Sequence, residues 1–161
     1  MKNILIIILV LNSLCMFSQS KKEVRNNKIE SKTIKKTVFK DSGNITYVDS
    51  FKKYDKNGNT IMEINYDKEG LVTDKNSYTY DSFGNLVEED KYDKKKNVKV
   101  HIEYKYDSFG NCVQETTKDS EGNVVERVEF TYDNNNLKQS ATEYRDDETV
   151  KWQKDYIYKN R

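Results

Sequence analysis

The 161-residue chain contains no proline, two cysteines and a single histidine. Without proline nothing removes a ladder donor from a strand, so continuous strands joined by tight turns are allowed throughout. With only Cys15 and Cys112, and Cys15 inside the apolar leader, a disulfide framework is excluded and stability has to come from packing and hydrogen bonds. One histidine, His101, with no second type of ligand clustered around it, argues for a solvated strand residue rather than a general base or a metal ligand. Long hydrophobic runs are missing too. The longest, Ile4 to Leu11, is too short to span a bilayer.

That run sits behind Lys2 and ahead of a polar break at Asn12 and Ser13, with small residues at Ser18 and Ser20. This is the pattern of a secretory signal peptide, with about twenty residues expected to be removed. Residues 1–20 are read as signal peptide, 21–32 as a basic leader and 33–161 as one repeat domain. The protein is therefore expected to be exported to the periplasm or the extracellular space and not to span a membrane after cleavage. Lipid anchoring through Cys15 is a lesser alternative, because Leu14 is bulky where lipoprotein processing favours a small residue.

Charged residues make up 34% of the chain, yet the formal net charge is only +1. Residues 21–40 hold eight Lys or Arg against Glu23 and Glu30, and the remainder is net acidic. A charge run of this kind reads first as a solvated leader and second as a tether to an anionic surface. The acidic body lacks a basic stripe, which argues against nucleic acid as a partner.

What is abundant is tyrosine, and it is periodic. Tyr54, Tyr66, Tyr80, Tyr92, Tyr106, Lys118, Tyr132, Tyr144 and Tyr158 are separated alternately by twelve and fourteen residues, which makes a unit of twenty-six. Between these anchors Val98, Val100, Ile102 and Tyr104 alternate with Lys99, His101 and Glu103, the period of a strand with one apolar face. The turns Asp55-Lys56-Asn57-Gly58-Asn59, Asp81-Ser82-Phe83-Gly84-Asn85 and Asp107-Ser108-Phe109-Gly110-Asn111 have aspartate to cap a type I turn and glycine for the left-handed position of a three-residue hairpin.

Such a hairpin places each anchor n opposite n+6: Tyr80 opposite Leu86, Tyr92 opposite Val98, and Tyr106 opposite Cys112. Cys112 then reads as a buried apolar stand-in with no basic residue beside it. Because both spacings are even, all anchors and all n+6 residues are expected on one face, and one row across the sheet runs Tyr54, Thr60, Tyr78, Glu88, Ile102, Thr116, Glu126, Tyr144 and Val150. The row advances twenty-four residues per unit of twenty-six, a stagger of two. The expected fold is all-β: an antiparallel meander of about ten strands in one curled sheet, open or barrel-like, with its apolar face inward. The charged opposite face argues against an outer-membrane barrel.

The units Tyr80 to Val87 and Tyr106 to Val113 resemble the YD repeats of Rhs-like proteins, from about residue 39 to the end of the chain. Asn follows the turn glycine here where that family often has arginine. The resemblance implies a strip of hairpins curling into a shell that binds carbohydrate or encloses another polypeptide, although the repeats are few for full enclosure. It carries over no catalytic residues.

The expected ligand-binding set is Tyr78, Tyr104, Trp152 and Tyr156 beside Glu88, Gln114 and Glu126. Aromatic faces next to polar groups suit sugars and peptides, although aromatic rings that simply fill a sheet face are the simpler account. Glu88 with Asp90 has the residue types of a glycosidase pair, but catalytic groups usually come from dissimilar loops, and these loops are copies of one another. The turn at Asp55, Asn57 and Asn59 lacks the spacing of a calcium loop. No cofactor or metal is expected.

The sequence thus points to a non-enzymatic, exported binding or scaffold module at the cell envelope, with a glycan or an envelope protein as partner. A structural subunit assembling through its edge strands is the alternative, and a glycan hydrolase a lesser one.

Overall fold

The computed structural model describes residues 21–95, 97–145 and 147–159. A short helix, α1 (Lys21–Asn26), precedes ten strands: β1 (Ser31–Val38), β2 (Ile45–Tyr54), β3 (Thr60–Tyr66), β4 (Val72–Tyr80), β5 (Leu86–Asp93), β6 (Val98–Tyr106), β7 (Cys112–Lys118), β8 (Val124–Tyr132), β9 (Lys138–Tyr144) and β10 (Val150–Asp155). They form one antiparallel sheet in sequence order, curled and open, with β1 and β10 at its edges. The expected all-β meander is thus observed. Residues 1–20, which carry the signal-peptide reading, lie outside the described residues.

Four of the turns close by the same chemistry. In the β4–β5 hairpin the Asp81 carboxylate accepts from the Phe83 and Asn85 amides, both at 2.9 Å, and from the Asn85 side-chain nitrogen at 2.9 Å. Gly84 sits at φ +88°, and its N–H donates to the Asp81 carbonyl. The clasp recurs at Asp55 with Asn59, Asp107 with Asn111 and Asp119 with Asn123. An asparagine after the glycine therefore ties the turn's exit to its entrance.

Immediately after each clasp the ladder slips. Tyr80 pairs with Leu86 and Tyr106 with Cys112, as the spacing predicts, but the next pairs are Thr79 with Glu88 and Lys105 with Gln114. One residue per hairpin bulges out of the pairing. Since strand side chains alternate, an odd insertion reverses parity on the following strand.

This corrects the expected face assignment. Tyr54, Tyr80, Tyr106, Tyr132 and Tyr158 share one face, whereas Tyr66, Tyr92, Lys118 and Tyr144 belong to the other. The row through Tyr78 continues to Glu89, Ile102, Thr117 and Glu126, not through Glu88 and Thr116. The two-residue stagger survives, because Tyr78, Ile102 and Glu126 are still twenty-four residues apart at each step.

The β5–β6 turn is a second correction. Tyr92 pairs with Lys99, and Asp93 with Val98. With no glycine in this turn, Asn97 takes the left-handed position at φ 52° and donates to the Lys94 carbonyl, so the turn closes one residue later.

The face carrying Tyr78, Tyr80, Tyr104 and Tyr106 holds most of the buried side chains. Ile102, Val128 and Ala141 are buried there with Ser50, Glu89 and Glu143. Helix α1 buries Val24 and lies against the Asp55–Asn59 turn so closely that a Cβ on Gly58 would fall 2.3 Å from the Lys21 carbonyl oxygen.

Candidate functional site: two faces of one sheet

Strand alternation divides the expected ligand-binding set. Tyr78, Tyr104, Trp152 and Glu126 lie on the tyrosine face, and Tyr156 continues it just beyond β10, where its N–H donates to the Gln139 carbonyl. Glu88 and Gln114 lie on the opposite face, as does Asp90. The carboxylates beside the rings are instead Glu89 and Glu115, each one residue further along its strand.

On the tyrosine face Tyr104 donates its hydroxyl to Glu89 at 3.0 Å, and Lys91 pairs with the same carboxylate at 3.1 Å. Burial, then the charge of Glu89 and the hydrogen bond to it, hold the Tyr104 phenol far above its ordinary range. Burial raises Tyr78 as well, against a hydrogen bond from Asn76. The Glu115 carboxyl is pushed up by burial and by the charge of Glu126, with Lys91 opposing. Trp152 pairs with Glu143 and carries the Lys154 ammonium 4.7 Å above its ring. A face of rings and interleaved carboxylates can stack against a ligand and accept its hydroxyl or amide hydrogens.

Cys112 is half-buried rather than buried, with its thiol 3.5 Å from the Gln114 carbonyl oxygen. Burial pushes the thiol up, and Lys138, a basic neighbour that the spacing did not predict, pulls weakly the other way. A protonated thiol of this kind is a poor nucleophile.

The opposite face is polar and cross-linked by charge. His101 lies between Asp90 at 3.0 Å and Glu103 at 3.5 Å, and Lys118 reaches Glu103 at 2.5 Å. The Lys118 hydrogen bond and charge, with help from His101, keep the Glu103 carboxyl below its ordinary value. Asp90 is thus engaged by His101, and Glu88 lies two residues from it on the same strand rather than across a cleft. Further along, a hollow of about 520 Å³ opens between the β6–β7 and β8–β9 hairpins, lined by Lys105, Gln114, Thr116, Arg127, Tyr144 and Arg145. Sequence reasoning missed it, since it exists only once parity is reversed and Gln114, Arg127 and Tyr144 come to share a face.

Among the described residues no helix is long and apolar enough to cross a membrane. No family model and no curated protein matches the chain. Among solved structures the chain is similar to a porin-like protein from Bacteroides uniformis, at 15% identity and a TM-score of 0.45, over 81% of this chain and 51% of that one. The chain spans about half the length of that protein.

Proposed function

We propose that the protein is an exported, non-enzymatic β-repeat module of the YD type that binds a glycan or a protein partner at the cell envelope. The observation that carries this reading is the tyrosine face, where Tyr104 is bonded to Glu89 and Tyr78, Phe130 and Trp152 extend the ring surface across seven strands. Repeated copies of one hairpin supply an extended recognition surface, and short turns of shared design are a poor source of specialised loops for chemistry. The N-terminal charge and hydropathy pattern supports export.

Trp152 provides the readout. Titrating a panel of envelope glycans and watching its fluorescence should give a saturable change with at least one of them, weakened by Tyr104→Phe. A flat response to the whole panel, with hydrolysis of any glycan abolished by Glu88→Gln, would replace the binding reading by an enzymatic one.

A further inference from the structure

We propose that the polar hollow between the β6–β7 and β8–β9 hairpins is a separate binding site for a uronate-bearing glycan strand. The proposal goes beyond the reading above, because it concerns the face opposite the tyrosines and commits to an acidic sugar.

The argument starts from Arg127. Its guanidinium lies 4.6 Å above the Tyr144 ring, and that stacking fixes the plane of its donor fork. Its partners are Glu129 at 3.7 Å and the Glu148 carboxylate, which hydrogen-bonds directly to it. Glu148 comes from the turn between β9 and β10, sits at φ 64°, and leaves its own side chain 71% exposed. An exposed carboxylate on a turn bonds one arm of the fork, Nη2, from outside, while Nη1 faces Glu129 at 3.7 Å. A ligand carboxylate of the same geometry can take its place, because planar bidentate recognition of a carboxylate is what a held guanidinium does best.

The surroundings fit a sugar acid. Once Glu148 is displaced, the fixed cations around the hollow are Arg127, Arg145 and Lys105. The acids that remain on its wall are Glu103, already held by Lys118, and Glu126, whose strand alternation turns its side chain toward the tyrosine face. Lys105 bonds Gln114 at 3.2 Å, and Gln114 donates to the Thr116 hydroxyl at 2.9 Å, which makes a row of polar groups across two strands, at spacings that suit ring hydroxyls. The volume is within the ordinary range for small-ligand sites.

The test is titration calorimetry of the protein with tetragalacturonate, with neutral maltotetraose and with tetraglutamate. Tetragalacturonate should bind, and the other two should bind at least about tenfold more weakly. Arg127→Gln should abolish the binding, and Lys105→Gln, which leaves the Arg127 stack intact, should weaken it several-fold. Glu148→Gln should tighten it by removing the internal competitor, an effect that no destabilised variant would mimic. Equal binding of maltotetraose, tighter binding of tetraglutamate, or a Glu148→Gln variant that binds no better overturns the proposal. If tetragalacturonate fails while a glycan still shifts Trp152 fluorescence, the polar hollow falls and the tyrosine-face reading stands.

Discussion

The Tyr106 hydroxyl donates to the main-chain carbonyl of Leu86, twenty residues earlier, at 2.7 Å. The same bond joins Tyr80 to Thr60 at 3.0 Å, Tyr132 to Cys112 at 2.8 Å and Tyr158 to Lys138 at 2.9 Å. Each acceptor lies two residues beyond the last ladder pair between neighbouring hairpins, as Leu86 lies beyond Glu88 paired with Glu103. The phenol therefore takes over where the backbone ladder stops, and stitches one twenty-six-residue unit to the next. Tyr106→Phe should cost about 1 kcal/mol, the usual net worth of one such bond. Tyr92→Phe, at an anchor outside this series, should cost close to nothing. Urea unfolding of the two variants measures the difference, and equal losses would deny the stitch its role.

This explains how much was legible. Strand limits, turn chemistry and the pairs Tyr80 with Leu86 and Tyr106 with Cys112 follow from spacing, because local turn geometry fixes them. The face assignment did not follow, because a bulge has no composition of its own. A signal was present nonetheless. Leu86-Val87, Cys112-Val113 and Val124-Val125 are pairs of successive apolar residues where strict alternation calls for one polar residue, and each marks the slip. Lys118 was the other clue. A lysine can replace tyrosine at that anchor because the series through Tyr66, Tyr92 and Tyr144 lacks the stitching bond. The acid–ring pair of the site was shifted by one residue for the same reason, from Glu88 to Glu89.

Glycines in equivalent turns should differ in tolerance. Gly58 and Gly122 both adopt positive φ, at +82° and +89°, so alanine at either strains the backbone by about 1–2 kcal/mol. At Gly122 the added methyl meets open space, whereas at Gly58 it meets the Lys21 carbonyl oxygen and the Arg25 amide of α1. Gly58→Ala should therefore lose more thermal stability than Gly122→Ala and should expose α1 to proteolysis. Deleting residues 21–26 should bring the two variants level.

The turn aspartates predict an acid limb. The Asn111 and Asn123 side chains are the main cause holding Asp107 and Asp119 below the ordinary 3.8, and at Asp81 burial pushes up but the bonds from Asn85, Phe83 and Gly84 together outweigh it. A carboxyl lowered on folding adds stability that is fully present above its unfolded value and is lost as pH falls through the folded one. The contribution of these aspartates to the urea midpoint should thus be full above about pH 4 and fall below it. Asn85→Ala removes the side-chain bond to Asp81 and should lower the plateau while making the acid limb shallower. An unchanged profile would mean that the clasp is not coupled to folding.

Glu115 has the opposite sign. Burial and the neighbouring charge of Glu126 raise its carboxyl above the ordinary 4.5, so ionisation works against the folded sheet. For a carboxyl raised on folding, stability is greatest while it stays protonated and declines as pH rises through the folded value. Glu115→Gln keeps the shape and removes the charge, so it should raise the melting temperature at pH 7 and lose that advantage below about pH 4.5. Melting curves at pH 7 and pH 4 decide the matter. A variant that melts lower at neutral pH would show that Lys91 and Lys138, which oppose the shift, make the ionised carboxylate a net asset to the tyrosine face.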